Sequence, residues 1–216
     1  MTTRVQPSGI PICRPGFEHI NRFWDKRRNI YTAKLLPGEF YVTSQQEAIA
    51  TTLGSCVSAC IWDEKTGIGG MNHFMLPLTE KDKHEIKWGQ KSDISDANRY
   101  GNYAMENLIN EILKCGGNRK NLKAKAFGGG KIMQKANQIG AKNAEFILDY
   151  LDMEKIPLLS HDLGNTYPRK VLFIPKTGKA FMKAISDLHN NTLMNRENNY
   201  SNIIMKSPIE GDIELF

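Results

Sequence analysis

The sequence predicts a single α/β domain with mixed strand directions and helices packed against the sheet. Three observations predict it. Residues 57–62 alternate apolar Val57, Ala59 and Ile61 with Ser58, Cys60 and Trp62, the period of a strand. Residues 98–115 place Ala104, Leu108 and Ile112 on one stripe, with Met105 and Ile109 beside it, the spacing of a core-facing helix. The coarse order along the chain is strands, helix, strand, helix, strands. At 216 residues the chain is long enough to bury one substantial core.

Taken in order, residues 1–37 are rich in Pro, Arg and Asn, with Phe17, Phe23, Trp24 and Tyr31 interspersed. They read as a partly ordered N-terminal extension whose aromatics dock on the domain. The domain itself is expected over 38–185. Pro37 and Gly38 form a turn before a strand at 40–43. The strand at 57–62 reads as half-buried. Gly69 and Gly70 open a second apolar run at 71–76, and the two runs are expected to pair as a hairpin. Residues 78–98 are polar and charged and read as a loop that could border a site, with His84 solvated. Gly116 and Gly117 end the helix at 98–115. A strand at 123–127 runs into Gly128-Gly129-Gly130-Lys131, which lacks the Gly-Lys-Ser/Thr of a phosphate-binding P-loop and reads as a tight turn. A second helix at 140–154 carries the stripe Ala144, Ile147, Leu148 and Leu151. Strands follow at 157–160, 171–175 and 179–185, with His161 and Asp162 read as structural. Residues 186–216 turn polar and Asn-rich and read as a loosely attached C-terminal tail.

The formal net charge is +6 and the pI about 9.1, which favours acidic partners. The lysines and arginines are scattered, and no zinc-finger, aromatic-basic or helix-turn-helix signature accompanies them, so no nucleic-acid partner is expected. No apolar run is long enough to span a bilayer, and the start lacks a signal-peptide pattern. Four irregularly spaced cysteines then read as free thiols in a reducing cytoplasm.

Chemistry concentrates in residues 51–77. Cys56 stands at the entrance of the 57–62 strand, just past Gly54-Ser55, and the expected hairpin brings His73 close to it. A histidine beside a thiol draws it toward thiolate, which attacks a carbonyl carbon, and then protonates the leaving group. Backbone N–H groups near the Gly-Ser turn could hold the oxyanion. By spacing alone, a Cys and a His are more often two unrelated core residues. Cys60, with His73 and with Cys115 or His161, could suggest zinc, but its spacing from Cys56 is a poor match to a structural zinc site. No metal is expected.

Five ordered blocks carry a resemblance. Thr-Leu-Gly-Ser-Cys-Val-Ser-Ala-Cys-Ile-Trp-Asp (52–63), followed by Gly-Gly-Met-Asn-His-Phe-Met-Leu-Pro (69–77), resembles the CheD family, the chemoreceptor glutamine deamidases of bacterial chemotaxis. Arg99-Tyr100-Gly101-Asn102-Tyr103-Ala104-Met105, Lys125-Ala126-Phe127-Gly128-Gly129, Ile139-Gly140-Ala141-Lys142-Asn143, and Asp162-Leu163-Gly164 with Pro168-Arg169-Lys170-Val171 and Thr177-Gly178 are similar to its later blocks. The resemblance spans 38–185 and implies a layered α/β sandwich. It implies a cytoplasmic enzyme that converts receptor glutamines to glutamate with release of ammonia through a thioester, without cofactor. Cys56 takes the nucleophile's place and His73 that of the base and acid. The family's third member is a threonine six residues before the cysteine, where this chain has Ala50; Thr51 is expected to serve, with Thr52 as the alternative. Ser55, Asn72, Gly128 and Gly129 are candidates for the oxyanion site or substrate groove. Arg169 and Lys170 are candidates for receptor contact. The implied partners are the acidic helical bundle of a chemoreceptor's cytoplasmic domain, as substrate, and a CheC-type phosphatase. The alternative is a non-catalytic adaptor binding either of them.

Overall fold

A computed structural model describes residues 9–77, 96–132, 137–185 and 192–206. Six strands come first: β1 (Asn21–Asp25), β2 (Ile30–Lys34), β3 (Phe40–Thr43), β4 (Glu47–Leu53), β5 (Val57–Asp63) and β6 (Gly69–Asn72). Helix α1 (Asp96–Lys114), β7 (Leu122–Gly128) and α2 (Asn137–Met153) follow, then β8 (Leu158–Leu163), β9 (Arg169–Ile174), β10 (Lys179–Ala184) and α3 (Thr192–Lys206). Most of the polar segment expected to border the site, residues 78–95 with His84, lies outside the described residues.

The strands form two mixed five-stranded sheets, in the orders β1-β2-β4-β9-β10 and β3-β6-β5-β7-β8. Each has one parallel pair, β2 with β4 and β7 with β8. The sheets face each other, and Trp62 of β5 meets Phe173 of β9 with ring centroids 5.6 Å apart. Helix α1 packs on β3, β5 and β6, and α2 on β5 and β7, covering the other face of the second sheet. The result is the layered α/β sandwich that the resemblance implies. Strand β5 is buried along its whole length. Its alternation predicts one exposed face, but it is the middle strand of the middle layer, with a sheet on one side and helices on the other. Small Ala59, Cys60 and Ser58 make that fit, and the Ser58 hydroxyl donates to the Asn72 carbonyl rather than meeting water.

The described residues on either side of the expected domain are more integrated than composition predicts. Residues expected as an extension supply β1 and β2, a hairpin turned at Asn29 (φ 54°), and β2 lies parallel to β4. Trp24 and Tyr31 stack edge-on across it at 4.9 Å, and Phe17 and Ile20 are buried. A buried ion pair locks the hairpin in place. The Arg22 guanidinium donates to Glu47, whose other oxygen accepts from the Tyr41 hydroxyl at 2.9 Å and the Thr43 hydroxyl at 2.8 Å. At the other end, the segment expected as a loose tail contains α3. Its buried residues Leu193, Glu197, Tyr200 and Ile204 recur at helical spacing, and only its outer face is Asn-rich.

Arg169, a candidate for receptor contact, is instead fully buried. It donates to the Asp162 carboxylate and to the Asp162, Gly164 and Tyr167 carbonyls, fastening the β8–β9 connection. Lys170 is exposed. His161 is exposed on β8.

Glu47→Ala removes three bonds at once and strands Arg22 without its counter-charge. Truncating one partner of such a pair costs about 3–5 kcal/mol. A urea unfolding midpoint lowered to that extent is expected, with the largest loss of protection from hydrogen exchange in β1 and β2.

Candidate active site

The site lies where the chain passes from one sheet to the other. Strand β4 ends at Leu53 in the first sheet, and Gly54-Ser55-Cys56 crosses to β5 in the second. This connection is held from behind at every carbonyl. Gly130 N–H donates to Gly54 O at 2.7 Å, the Asn143 side-chain amide to Ser55 O at 2.8 Å, and Gly129 N–H to Cys56 O at 2.8 Å. Asn143 is itself placed by accepting from Leu76 N–H at 2.9 Å. Gly128 is needed for this clamp: it has φ 114°, and a Cβ there would lie 2.2 Å from Cys56 O. With the carbonyls turned away, the N–H groups of Gly54, Ser55 and Cys56 converge on the opposite side as an anion-binding nest.

His73 follows β6 directly. Val57 and Phe74 exchange backbone hydrogen bonds of 2.9 and 3.0 Å, while His73 N–H donates to Glu39 O and His73 O accepts from Gly38 N–H. The imidazole is thereby fixed beside the head of β5. Thr51 reaches it from the first sheet. The Thr51 hydroxyl donates its one proton to Leu35 O at 2.9 Å and lies 2.7 Å from His73 Nδ1. A hydroxyl whose proton is committed can only accept from the ring, so Nδ1 carries the proton and Nε2 the lone pair. His73 Nε2 is buried and has no hydrogen-bond partner among the described residues. A His73 ring nitrogen, the Cys56 sulfur and a Glu197 carboxylate oxygen lie within 4.8 Å of one another.

The other expected site residues are distributed around this centre. Thr51 is buried against His73, while Thr52, next along the strand and on its other face, is half-buried. Ser55 turns its hydroxyl into the nest. Asn72 spends its side chain as a brace, accepting from Ala59 N–H at 2.8 Å and donating to Ala104 O at 3.1 Å. Gly128 and Gly129 back the connection rather than line a groove.

Glu197 of α3 is the residue that sequence reasoning missed. Its carboxylate fills the nest. One oxygen accepts from Ser55 N–H at 2.8 Å and the Ser55 hydroxyl at 2.6 Å; the other accepts from Gly54 N–H at 2.7 Å and, more weakly, Cys56 N–H at 3.4 Å. Helical spacing with Leu193 and Tyr200 was the available signal. Cysteine, histidine and carboxylate are donor types that zinc accepts. Here, however, both carboxylate oxygens face N–H and O–H donors, the surroundings of an anion rather than of a shared cation.

Burial dominates the electrostatics. It pushes the Cys56 thiol well up, and the adjacent Glu197 carboxylate raises it further. It pushes His73 down to about 3 from an ordinary 6.5. Between those values the unfolded chain binds a proton that the folded one does not, so stability falls as pH drops through that window.

Comparison with known proteins is consistent with this geometry. A family model described as "CheD chemotactic sensory transduction" matches residues 75–184. A protein of Halorhodospira halophila named probable chemoreceptor glutamine deamidase CheD is 47% identical over 207 residues, 96% of this chain and 94% of that one. The chain belongs to the CheD family. A likewise named protein of Hahella chejuensis is 44% identical over all of this chain and 99% of its own length, and one of Hydrogenovibrio crunogenus is 49% identical over 89% and 97%. The family model begins just past His73, whereas the Halorhodospira and Hahella relatives align along almost the whole chain, through the Cys56 connection and α3.

Histidine-ring NMR at pH 5 is expected to show His73 still neutral, with its proton on Nδ1. A ring that titrates near its ordinary value would mean that water reaches the site.

Proposed function

We propose that this protein is a protein-glutamine deamidase acting on chemoreceptors, with Cys56 as nucleophile. The observation that carries this reading is the relay from Leu35 O through the Thr51 hydroxyl to His73, which leaves Nε2 bare on an imidazole with a ring nitrogen within 4.8 Å of the Cys56 sulfur, at the edge of an N–H nest. The names of the full-length relatives supply the amide and its carrier.

The chemistry follows from the donors and acceptors. His73 Nε2 takes the Cys56 thiol proton as the sulfur attacks the carboxamide carbon of a receptor glutamine. The oxyanion of the tetrahedral intermediate is stabilised by the backbone N–H groups of residues 54–56. As the intermediate collapses, the C–N bond breaks and the His73 imidazolium protonates the departing nitrogen, which leaves as ammonia. A thioester remains. His73, again neutral, takes a proton from water, which attacks the thioester and releases glutamate and the thiol. Thr51 holds the ring in the tautomer this requires, because its hydroxyl can accept from Nδ1–H and cannot donate to it. Every step is served by side chains and backbone of this chain.

Each turnover places one more negative charge on a receptor helix, where it repels its neighbours and shifts the signalling equilibrium. A basic protein suits such an acidic target, and the reaction belongs in the cytoplasm, where receptor signalling domains lie. No described helix is long and apolar enough to cross a membrane. Ala50 at the strict threonine position favours the adaptor; the Thr51 hydroxyl 2.7 Å from His73 Nδ1 supports the enzyme. A CheC-type phosphatase remains a proposed second partner.

Purified receptor cytoplasmic domain incubated with the protein is expected to gain about one dalton per converted glutamine, with ammonia released in proportion and neither seen with Cys56→Ala. Retained activity in Cys56→Ala would overturn the assignment. Thr51→Val is expected to lower the rate roughly a hundredfold by freeing the imidazole, with Thr51→Ser restoring most of it. Thr52→Val is expected to stay close to wild type.

A further inference from the structure

The site is closed. Cys56 is wholly buried and His73 is 2% exposed, so a receptor glutamine cannot reach the sulfur in the conformation described. What stands in the way is α3. Of its buried face, Leu193, Glu197, Tyr200 and Ile204, Glu197 lies against Cys56 and His73 and Tyr200 lines the cleft beside His73. The Tyr200 hydroxyl bonds that of Tyr100 on α1, and the Tyr200 ring lies so close to Gly38 that a Cβ there would meet it at 2.8 Å. A residual cavity of about 150 Å³ remains against His73, between Tyr100, Tyr103 and Tyr200. Gly54 is equally constrained, since a Cβ on it would come within 2.8 Å of the Glu197 carboxylate.

We propose that α3 occupies the cleft that receives the substrate helix, and that Glu197 stands where the glutamate product stands before it leaves. The proposal rests on the deamidase reading above. Among the described residues the Glu197 carboxylate accepts from the Gly54, Ser55 and Cys56 N–H groups and the Ser55 hydroxyl, two on each oxygen, so the nest is matched to both oxygens of a carboxylate. That is the charge pattern left once ammonia has gone. The carrier is matched as well: a glutamate on an amphipathic helix, with apolar side chains four residues before it and three and seven after. A receptor segment docking here is therefore expected to be helical, with its glutamine at the Glu197 position and apolar residues at the Leu193, Tyr200 and Ile204 positions. It must displace α3 to do so, and the chain accordingly holds itself at rest until a receptor competes. Withdrawal of the carboxylate also removes a negative charge from beside the sulfur, which favours the thiolate.

The test uses the full chain. Glu197→Ala is expected to speed alkylation of Cys56 by iodoacetamide at least tenfold, read by peptide mass spectrometry, and to speed receptor deamidation severalfold. Glu197→Gln places the substrate's own group at the sulfur. Hydrolysis of its side-chain amide by water would return glutamate and ammonia, so residue 197 of that variant is expected to gain about one dalton, localised by fragment ions in a Lys-C peptide, with intact Cys56 and not with Cys56→Ala. Wild-type alkylation rates in Glu197→Ala would overturn the proposal. So would loss of receptor deamidation in folded Glu197→Ala, which would make Glu197 part of the machinery. Persistence of the introduced amide in a Glu197→Gln chain that is active on receptor would overturn it equally. The deamidase reading fails separately, when wild type and Cys56→Ala treat the receptor alike.

Discussion

The backbone clamp on residues 54–56 is the constraint on which the rest depends. Three carbonyls are bound from one side by Gly130, Asn143 and Gly129; the peptide units of the first two carry the Ser55 and Cys56 N–H groups, which therefore face the other, while that of the third carries Val57 N–H, which donates to Phe74 O. A peptide unit cannot turn its carbonyl without turning its N–H, so holding the acceptors aims the donors. The nest, the position of the sulfur and the fit of a carboxylate all follow. The clamp is also where separate stretches meet: the turn after β7 supplies two donors, and α2 supplies the third. The glycines that read as a tight turn have a definite task, which is to bring backbone within hydrogen-bonding distance of backbone.

Polarity in the site is set by commitment rather than by charge. The Thr51 hydroxyl has one proton, and Leu35 O takes it. The direction of the His73 bond, and with it the basic nitrogen, follows from that single choice. Leu35 continues β2 alongside β4, within the region that composition assigns to an N-terminal extension. The arm is thus tied to the chemistry by one carbonyl and to the fold by the Arg22–Glu47 pair.

Much of this was legible in the sequence, and the unread parts have identifiable causes. The strand–hairpin pair carrying Cys56 and His73, both long helices and the later strands were visible because their apolar spacing is regular. The resemblance supplies Cys56, His73 and Thr51 as candidates, and the structure brings the three together. The resemblance favours Thr51 and keeps Thr52 as the alternative, because neighbouring strand residues differ only in the face they occupy, and the face is set by pairing with β9 and by Leu35. Strands β1 and β2 were obscured by Arg22, Asp25 and Lys34, whose charges sit at hairpin ends or in a buried pair. Helix α3 was obscured by Asn195, Asn198, Asn199 and Asn202 on its outer side, which dilute the four residues that dock. Glu197 was invisible for a further reason: a lone glutamate on a polar helix reads as solvated, and only the N–H groups of a distant connection make it otherwise.

The threonine and the histidine come from different sheets. Thr51 is fastened to the first through β9 and Leu35, and His73 to the second through Glu39 and Phe74. The 2.7 Å bond between them is therefore a gauge of how the two sheets are aligned. A slide of one layer over the other by little more than an ångström breaks it, and the ring is then free to spin or to trade its proton. Reactivity of this kind is a property of the stacked whole. Neither sheet holds it alone, and a partly folded chain, with its thiol present but its layers unregistered, carries no competent base.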